Sequence, residues 1–374
     1  MNNGTIIYYG GFSLPDKSAS ANRVVSNAKI FASLGYKTIF IGAAPSNKFF
    51  DGLRTVPGHD NMFEYAHPES TKQWLLHMVS VEHLEKIVSK HTDVCKIILY
   101  NVPMFTLLKA KKVFSDRNIE VCYDCTEWTR DTDGSLPKRL FKAFDEFLIS
   151  NFAHRIADGI IAISSKMEKR YRKSKKLLVL PPLVDTDDEI WHQIPEEHDG
   201  IFEFCFAGIP DGKKESLDKV VEAFCKIKEK DTRLRIIGIA EKDFAEIYPD
   251  CDIPEDMRDK IIFMGMLTHK ETIRHILGCD CYIFIRRSDK RNNAGFPTKF
   301  AESYTCGAPV ITTDVSDVGK YIKNSSRGCL LENMTPDSIY EAMLCQTRNG
   351  ASHKSLNNTF DYKSYIQPTK NWLK

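Results

Sequence analysis

The sequence predicts an α/β protein made of two successive halves, each a parallel sheet with helices packed on it. Three observations predict it. Short apolar runs rich in β-branched and aromatic residues alternate with stretches of helical period from residue 5 to 180, and again from 201 to 345. That alternation is the signature of βαβ units. Glycine or a hydroxyl residue punctuates the helix ends, as at Gly35, Thr268 and Gly307. Between the halves, residues 185–200 are acidic, carry a proline and lack periodicity, so they read as a linker.

Composition agrees. The chain has 374 residues, enough for two domains of ordinary size, with 42% hydrophobic and 27% charged residues. A formal net charge of +2 gives no global nucleic-acid signature. No apolar run approaches a membrane span and the N-terminus is no signal peptide, so a cytoplasmic protein is expected. The eleven cysteines are scattered through apolar runs, the usage of buried reduced thiols. Cys122 and Cys125 form a C-x-x-C, but no second pair stands at zinc spacing and no H-x-x-x-H occurs, so no metal site is expected.

In the first half, residues 5–9 (TIIYY) form the first strand, and Gly10-Gly11-Phe12-Ser13 follow at its carboxyl end. Gly11 there suits either close backbone approach to a ligand or a tight turn. A helix capped by Ser20 runs to Leu34 with Val24, Ala28 and Phe31 on one face, and residues 37–42 are the second strand. Residues 51–70 read as irregular. One helix is expected over 71–89, a strand at 96–100, a helix at 103–115 and a strand at 120–123. Asp124 to Asp131, with Thr126, Glu127 and Trp128, lie beyond that strand's carboxyl end. They suit either a substrate site or a capped loop with its Trp in the core. Residues 138–156 are amphipathic, with Leu140, Phe141, Phe144, Leu148 and Phe152 on one side. After the strand at 159–163, the helix from Ser164 carries seven basic residues between 166 and 176. It suits contact with anionic lipid or an ordinary solvated face.

The second half repeats the alternation: strand 201–206, a loop from Gly208 to Lys214, helix 217–228, strand 235–238, helix 241–248, strand 261–264 and the loop Gly265-Met266-Leu267. Residues 283–312 then read as strand, loop, helix, turn and strand. Arg286 and Arg287 stand at the carboxyl end of the strand, where open parallel sheets bind ligands. Pro297 opens a helix whose first N–H groups lack intrahelical partners, and a phosphate can sit on them. Glu302 lies one turn in, near the face of Thr298. A carboxylate there repels phosphate but accepts hydrogen bonds from hydroxyls. Phosphate donors beside a hydroxyl acceptor suit a ribose joined to a diphosphate; an ordinary βαβ unit with a basic loop gives the same pattern. A last helix is expected between 360 and 373.

Several segments together resemble family 4 of the retaining glycosyltransferases. They are Gly208 to Lys214 (GIPDGKK), Phe263-Met264-Gly265, Ala294 to Ser303 (AGFPTKFAES), Cys306 to Ile311 (CGAPVI), Ala157 to Ser164 (ADGIIAIS) and Leu180 to Asp185 (LPPLVD). The resemblance implies a GT-B fold, two Rossmann-like domains facing each other across a cleft. It implies an acceptor domain at 1–184, a nucleotide-sugar domain at 201–358 and a tail helix at 359–374 crossing back to the first domain. The implied donor is a nucleotide-diphosphate-sugar, the acceptor a glycan or lipid-linked hydroxyl, and no other cofactor, metal or nucleic acid is implied. Glu302 matches the ribose-holding glutamate of E-x7-E. Gly295, Phe296, Pro297 and Thr298 would bind the diphosphate or sugar through backbone N–H. Lys213 or Lys214 matches the phosphate lysine, and Gly265 to Leu267 would contact the base. Three positions depart from the pattern: the first glutamate is Ala294, the usual histidine is Thr126, and the arginine near Gly208 is Ile209. Arg286 and Arg287 could supply that charge.

The activity so implied is retaining transfer, in surface polysaccharide or glycoconjugate synthesis. Preorganised cations would stabilise the leaving diphosphate, and Gly11, Glu127 and Asp131 would lie near the acceptor. A non-catalytic nucleotide-sugar-binding subunit is the alternative. A nicotinamide oxidoreductase would need a G-x-G-x-x-G, which neither half carries.

Overall fold

The computed structural model describes residues 3–16, 18–44, 52–68, 70–128, 136–195, 199–210, 215–229, 231–323, 327–350 and 355–374. The chain forms two compact units, residues 1–183 with 362–374, and residues 184–361. Residues 184–195 count with the second unit, where Trp191 is buried.

The first unit comprises β1 (Thr5–Gly10), α1 (Ala19–Ser33), β2 (Lys37–Ala43), β3 (Leu53–Thr55), β4 (Met62–Tyr65), α2 (Thr71–Val79), α3 (Glu82–Val88), β5 (Val94–Tyr100), α4 (Met104–Phe114), β6 (Glu120–Cys125), α5 (Leu136–Ile156), β7 (Gly159–Ala162), α6 (Ser165–Tyr171) and β8 (Leu177–Val179). Its sheet has the order β3-β4-β2-β1-β5-β6-β7-β8. All neighbours are parallel except β3 and β4. β1 is apolar on both faces, because helices cover both sides of a parallel sheet.

The second unit comprises β9 (Phe202–Ala207), α7 (Leu217–Phe224), β10 (Thr232–Ile237), α8 (Glu241–Ile247), β11 (Ile261–Phe263), α9 (His269–Gly278), β12 (Cys281–Phe284), α10 (Thr298–Thr305), β13 (Val310–Thr313), α11 (Val318–Ile322), β14 (Gly328–Leu331) and α12 (Pro336–Asn349). Its wholly parallel sheet runs β11-β10-β9-β12-β13-β14. Numbered from its first strand, that is the order 3-2-1-4-5-6 of a dinucleotide-type sheet. Phe204, Phe206, Ile283 and Ile311 lie in its core.

Both sheets reverse direction of growth beside their first strand. In the second unit this happens between β9 and β12, in the first between β1 and β5. Crossovers on either side of such a point leave a crevice at the carboxyl ends of the strands, where ligands bind. The last helix, α13 (Ile366–Leu373), belongs to the first unit. Its Trp372 is buried against Gly159, where a Cβ would come within 2.9 Å of the indole.

Several local expectations change. Residues 51–70 are not wholly irregular, since β3 and β4 form there. The helix expected over 71–89 is two, α2 and α3, because Ser80 is extended and its Oγ accepts from the Glu82 N–H at 3.3 Å. Ser18, not Ser20, caps α1, accepting from the Ala21 N–H at 3.1 Å. On α5, Leu140 and Phe144 are exposed rather than inward. That helix is apolar on more than one side, and periodicity alone cannot choose between two apolar stripes.

Candidate functional site

At the reversal point of the second unit, Gly208 follows β9 and Arg286 follows β12. Between them stands Glu215, a carboxylate only 5% exposed. Its Oε1 lies 3.1 Å from Nη2 of Arg286 and 3.0 Å from Nζ of Lys299, and its Oε2 lies 3.0 Å from the same Nζ. Glu215 also bridges the backbone of Arg286. One buried acid thus gathers two cations, leaving one excess positive charge on partly exposed side chains. Burial pulls the Lys299 ammonium below its usual range while Glu215 opposes that shift. Nε of Arg286 is buried without a hydrogen-bond partner.

Lys299 reaches this position from the first turn of α10 because Gly208 has no side chain. A Cβ there would collide with the lysine Nζ. Sequence reasoning did not single out Lys299 or Glu215. The signal was present in Lys299, two residues into a helix read as phosphate-facing. Glu215 carried none, since only the fold brings it to β12.

The other expected residues of this unit fall as follows. Lys213 and Lys214 lie outside the described residues. Arg287 is exposed. Pro297 is the N-cap of α10 rather than its first helical residue. The Gly295 N–H is engaged with the Arg291 carbonyl at 3.3 Å. Pro297 has no N–H, so of residues 295–298 only Phe296 and Thr298 have a backbone donor left for an anion. The Phe296 ring is buried among Phe300, Tyr321 and Phe360. Glu302 is half-buried and its Oε1 lies 3.1 Å from Nε2 of His269, the first residue of α9. At the end of β11, Gly265 has φ +64°, a conformation that favours glycine, and Met266 is 69% exposed. Leu267 is half-buried.

In the first unit, Gly11 is exposed and a Cβ on it would meet open space. The glycine requirement lies at Gly10, where a Cβ would strike the backbone of Tyr100 on β5. Asp124 is fully buried and serves the core rather than a ligand. It pairs with Arg23 (Nη2 to Oδ1, 2.9 Å) and accepts from the Tyr8 hydroxyl. Arg23 also donates to the carbonyls of Leu180 at 2.8 Å and Pro181 at 3.2 Å. Thr126 is buried too. Its N–H donates to Asn101 at 3.0 Å, and its hydroxyl accepts from Asn101 at 2.6 Å and meets the Tyr100 hydroxyl at 3.1 Å. Asn101 has φ +48°, tolerable for asparagine and held by these bonds.

Glu127 is exposed on a cavity of about 190 Å³ at the carboxyl ends of β5 and β6. Trp74, Phe141, Asp145 and the buried Trp128 also line it. Asp131 lies outside the described residues. A larger cavity of about 630 Å³ opens at the opposite, amino ends of β1 and β2, the end that parallel sheets do not use for chemistry. Cys122 and Cys125 are buried, with thiols pushed up to about 11 and about 12 by desolvation. Such thiols are poor nucleophiles and ligands at neutral pH.

Beside Gly10 lies a cluster the sequence did not reveal, because its members come from β1, β4, α2 and α3. Tyr65 stacks on Tyr9 (5.7 Å between centroids) and on His83 (5.4 Å), and its ring lies 4.8 Å from His77. Burial, then the charges of His83 and His67, lower His77 from 6.5 to about 4. Below pH 6.5 the unfolded chain therefore binds a proton that the folded chain refuses. Stability should fall as pH drops from about 6.5 towards 4, by roughly 2 kcal/mol at pH 5. Unfolding free energies of wild type and His77→Gln at pH 7 and pH 5 check this. A difference between them that does not change with pH rejects it.

Comparison with known proteins bears on the whole arrangement. The chain aligns over 99% of its length with sucrose-phosphate synthase from Thermosynechococcus elongatus, covering 98% of that chain, with a TM-score of 0.72 at 12% identity. It aligns likewise with HepE from Anabaena, solved with UDP and glucose, at a TM-score of 0.66, 13% identity and 99% coverage of both chains.

The chain has the GT-B fold.

A third GT-B neighbour is the lipopolysaccharide outer core galactosyltransferase WaaB in its apo form, with a TM-score of 0.65 at 14% identity and 99% coverage of both chains. Residues 202–349 match the family described as Glycosyl transferases group 1. That match spans β9 to α12, and so contains Gly208, Glu215, Arg286, Lys299 and Glu302. No curated protein matches the chain in sequence. Among the described residues no helix is long and apolar enough to cross a membrane.

Proposed function

We propose that the protein transfers a sugar from a nucleotide-diphosphate-sugar to an acceptor hydroxyl, with retention at the anomeric carbon. The observation that carries this reading is the pair of cations, Arg286 and Lys299, gathered by Glu215 over Gly208 at the reversal point of a GT-B sheet. As the anomeric C–O bond breaks, its electron pair passes to the diphosphate. Arg286, Lys299 and the Thr298 amide stabilise that charge, with Arg287, Lys213 and Lys214 adding to the field. Glu302 accepts from the ribose hydroxyls, and His269 orients it. The exposed Met266 offers a polarisable face to the base. The acceptor hydroxyl bonds to the anomeric carbon and gives its proton to the departing phosphate, so no protein base is needed where Thr126 replaces histidine. Gly11 and Glu127 border the acceptor. The transfer serves surface polysaccharide or glycoconjugate synthesis.

A donor panel tests this. The matching nucleotide-sugar stabilises the fold by mass action, about 2.7 kcal/mol at a hundredfold excess over Kd, and so raises the unfolding temperature. Uridine diphosphate sugars come first, since HepE was solved with UDP. With the matching nucleotide, Glu302→Ala should lose at least about tenfold in affinity, roughly 1.4 kcal/mol, with the unfolding temperature of the free protein unchanged. Unchanged affinity by calorimetry removes the ribose assignment. Ala294 is fully buried and Thr126 is tied to Asn101 and Tyr100, which favours a second reading, binding without transfer. Affinity with no donor hydrolysis would decide for it.

A further inference from the structure

Among the described residues, eight of the twelve exposed large apolar side chains lie on three helices of the first unit, α2, α4 and α5. These helices pack together: Phe141 of α5 meets Trp74 of α2 edge-on at 5.3 Å and stacks on Phe105 of α4 at 6.2 Å. With those rings turned inward, a second set is left outside. Leu140, Phe144 and Phe147 follow at spacings of four and three, one outer face of α5, and are 63%, 52% and 55% exposed. Leu75 and Leu76 of α2 and Leu108 of α4 are exposed as well. A helix apolar on both sides is ordinarily buried on both, so the exposed outer face of α5 calls for a cover. A contiguous patch of this kind marks an interaction surface.

Its surroundings say what covers it. α6 packs against the second half of α5, with Nε of Arg170 donating to the Ser150 carbonyl at 2.7 Å. From 165 to 176 the chain carries seven basic residues and one acid, Glu168. The Arg155 guanidinium lies 5.8 Å over the Phe152 ring at the same end of α5. Lys72, Lys109, Lys112 and Arg139 are exposed on the three helices themselves. Apolar side chains ringed by cations fit a bilayer surface with anionic headgroups. The rings enter the acyl boundary and the cations stay among the phosphates. A second copy fits poorly, because a two-fold interface on this patch would bring like-charged residues of the two copies together.

We propose that the outer face of α2, α4 and α5, with the basic α6 beside it, docks the protein on an anionic membrane. If the transferase reading holds, the acceptor is carried on a lipid. That corollary rests on the proposed function; the docking does not.

Vesicle co-sedimentation tests it with the full chain. Wild type should bind phosphatidylcholine vesicles containing about 30% phosphatidylglycerol, whose anionic headgroups give the surface a negative potential. Binding to pure phosphatidylcholine should be at least about tenfold weaker, since each cation near an anionic surface multiplies binding about fivefold. Phe144→Glu/Phe147→Glu should lower the partition constant about tenfold or more, with unfolding temperature and donor hydrolysis unchanged. Lys169→Glu/Lys173→Glu should remove the preference for anionic vesicles. Absence of vesicle binding by wild type, equal binding by the Phe variant, or a wild-type dimer in ultracentrifugation that the Phe variant dissolves would each overturn the proposal. Vesicle binding by a chain that hydrolyses no donor would leave it standing and defeat only the transferase reading.

Discussion

Lys299→Met should lower donor turnover by about 10²–10³-fold, roughly 2.7–4 kcal/mol in the barrier, the usual cost of one preorganised charge-stabilising group. Nucleotide affinity should change far less. The reasoning is geometric. Glu215 holds the ammonium at 3.0 Å from both of its oxygens, so the charge is fixed before the donor arrives. A group already in place costs no reorganisation when the leaving diphosphate gains charge. Lys299→Arg should recover little, because the longer planar fork cannot occupy the point where Nζ sits beside Gly208. Single-turnover hydrolysis and calorimetry on one preparation check the split. A loss confined to affinity, or no loss, removes Lys299 from leaving-group stabilisation.

The largest effect on stability should come from Arg23→Met, about 3–5 kcal/mol. The mutation strands the Asp124 carboxylate, fully buried between β1 and α1, with the Tyr8 hydroxyl as its remaining charge-quenching neighbour. It also removes the donors to the Leu180 and Pro181 carbonyls. Burial and the nearby Asp124 carboxylate push the Tyr8 hydroxyl well above its ordinary range, so it stays a neutral donor. Against a typical total of about 5–15 kcal/mol, such a loss is severe. Arg23→Met/Asp124→Leu should recover most of it, since removing both charges removes the uncompensated one. Urea denaturation measures both variants, and a single-variant loss under about 1 kcal/mol would contradict the buried-pair account.

The alternation of apolar strands and amphipathic helices was legible in the sequence because both periods are local. The α/β class and the strand–loop–helix around Arg286 and Pro297 follow from a few residues at a time. The resemblance supplied GT-B, which hydrophobic periodicity alone does not specify. What stayed hidden was set by distant partners. Glu215 is an ordinary acid between a loop and α7 until the fold carries it to Arg286. Asp124 opened a segment expected beyond a strand's carboxyl end, but it lies inside β6, and only Arg23, 101 positions earlier, shows it to be a core ion pair. The spacing in α5 read as a single apolar side, and only the packing of Phe141 on Trp74 and Phe105 separates it into an inner and an outer face. Conversely, the sequence reading singled out Gly11, and the neighbouring strand shows that the position needing glycine is Gly10.

Gly208 carries a consequence of its own. Its φ is not in the region that demands glycine, so its emptiness serves the amine above it rather than the chain beneath. A methyl group at that spot would leave the sheet standing, since a lysine tip yields readily, yet it would evict the charge from its seat. Positions 208 and 299 share one parcel of space, and drift at either is judged by what occupies the other.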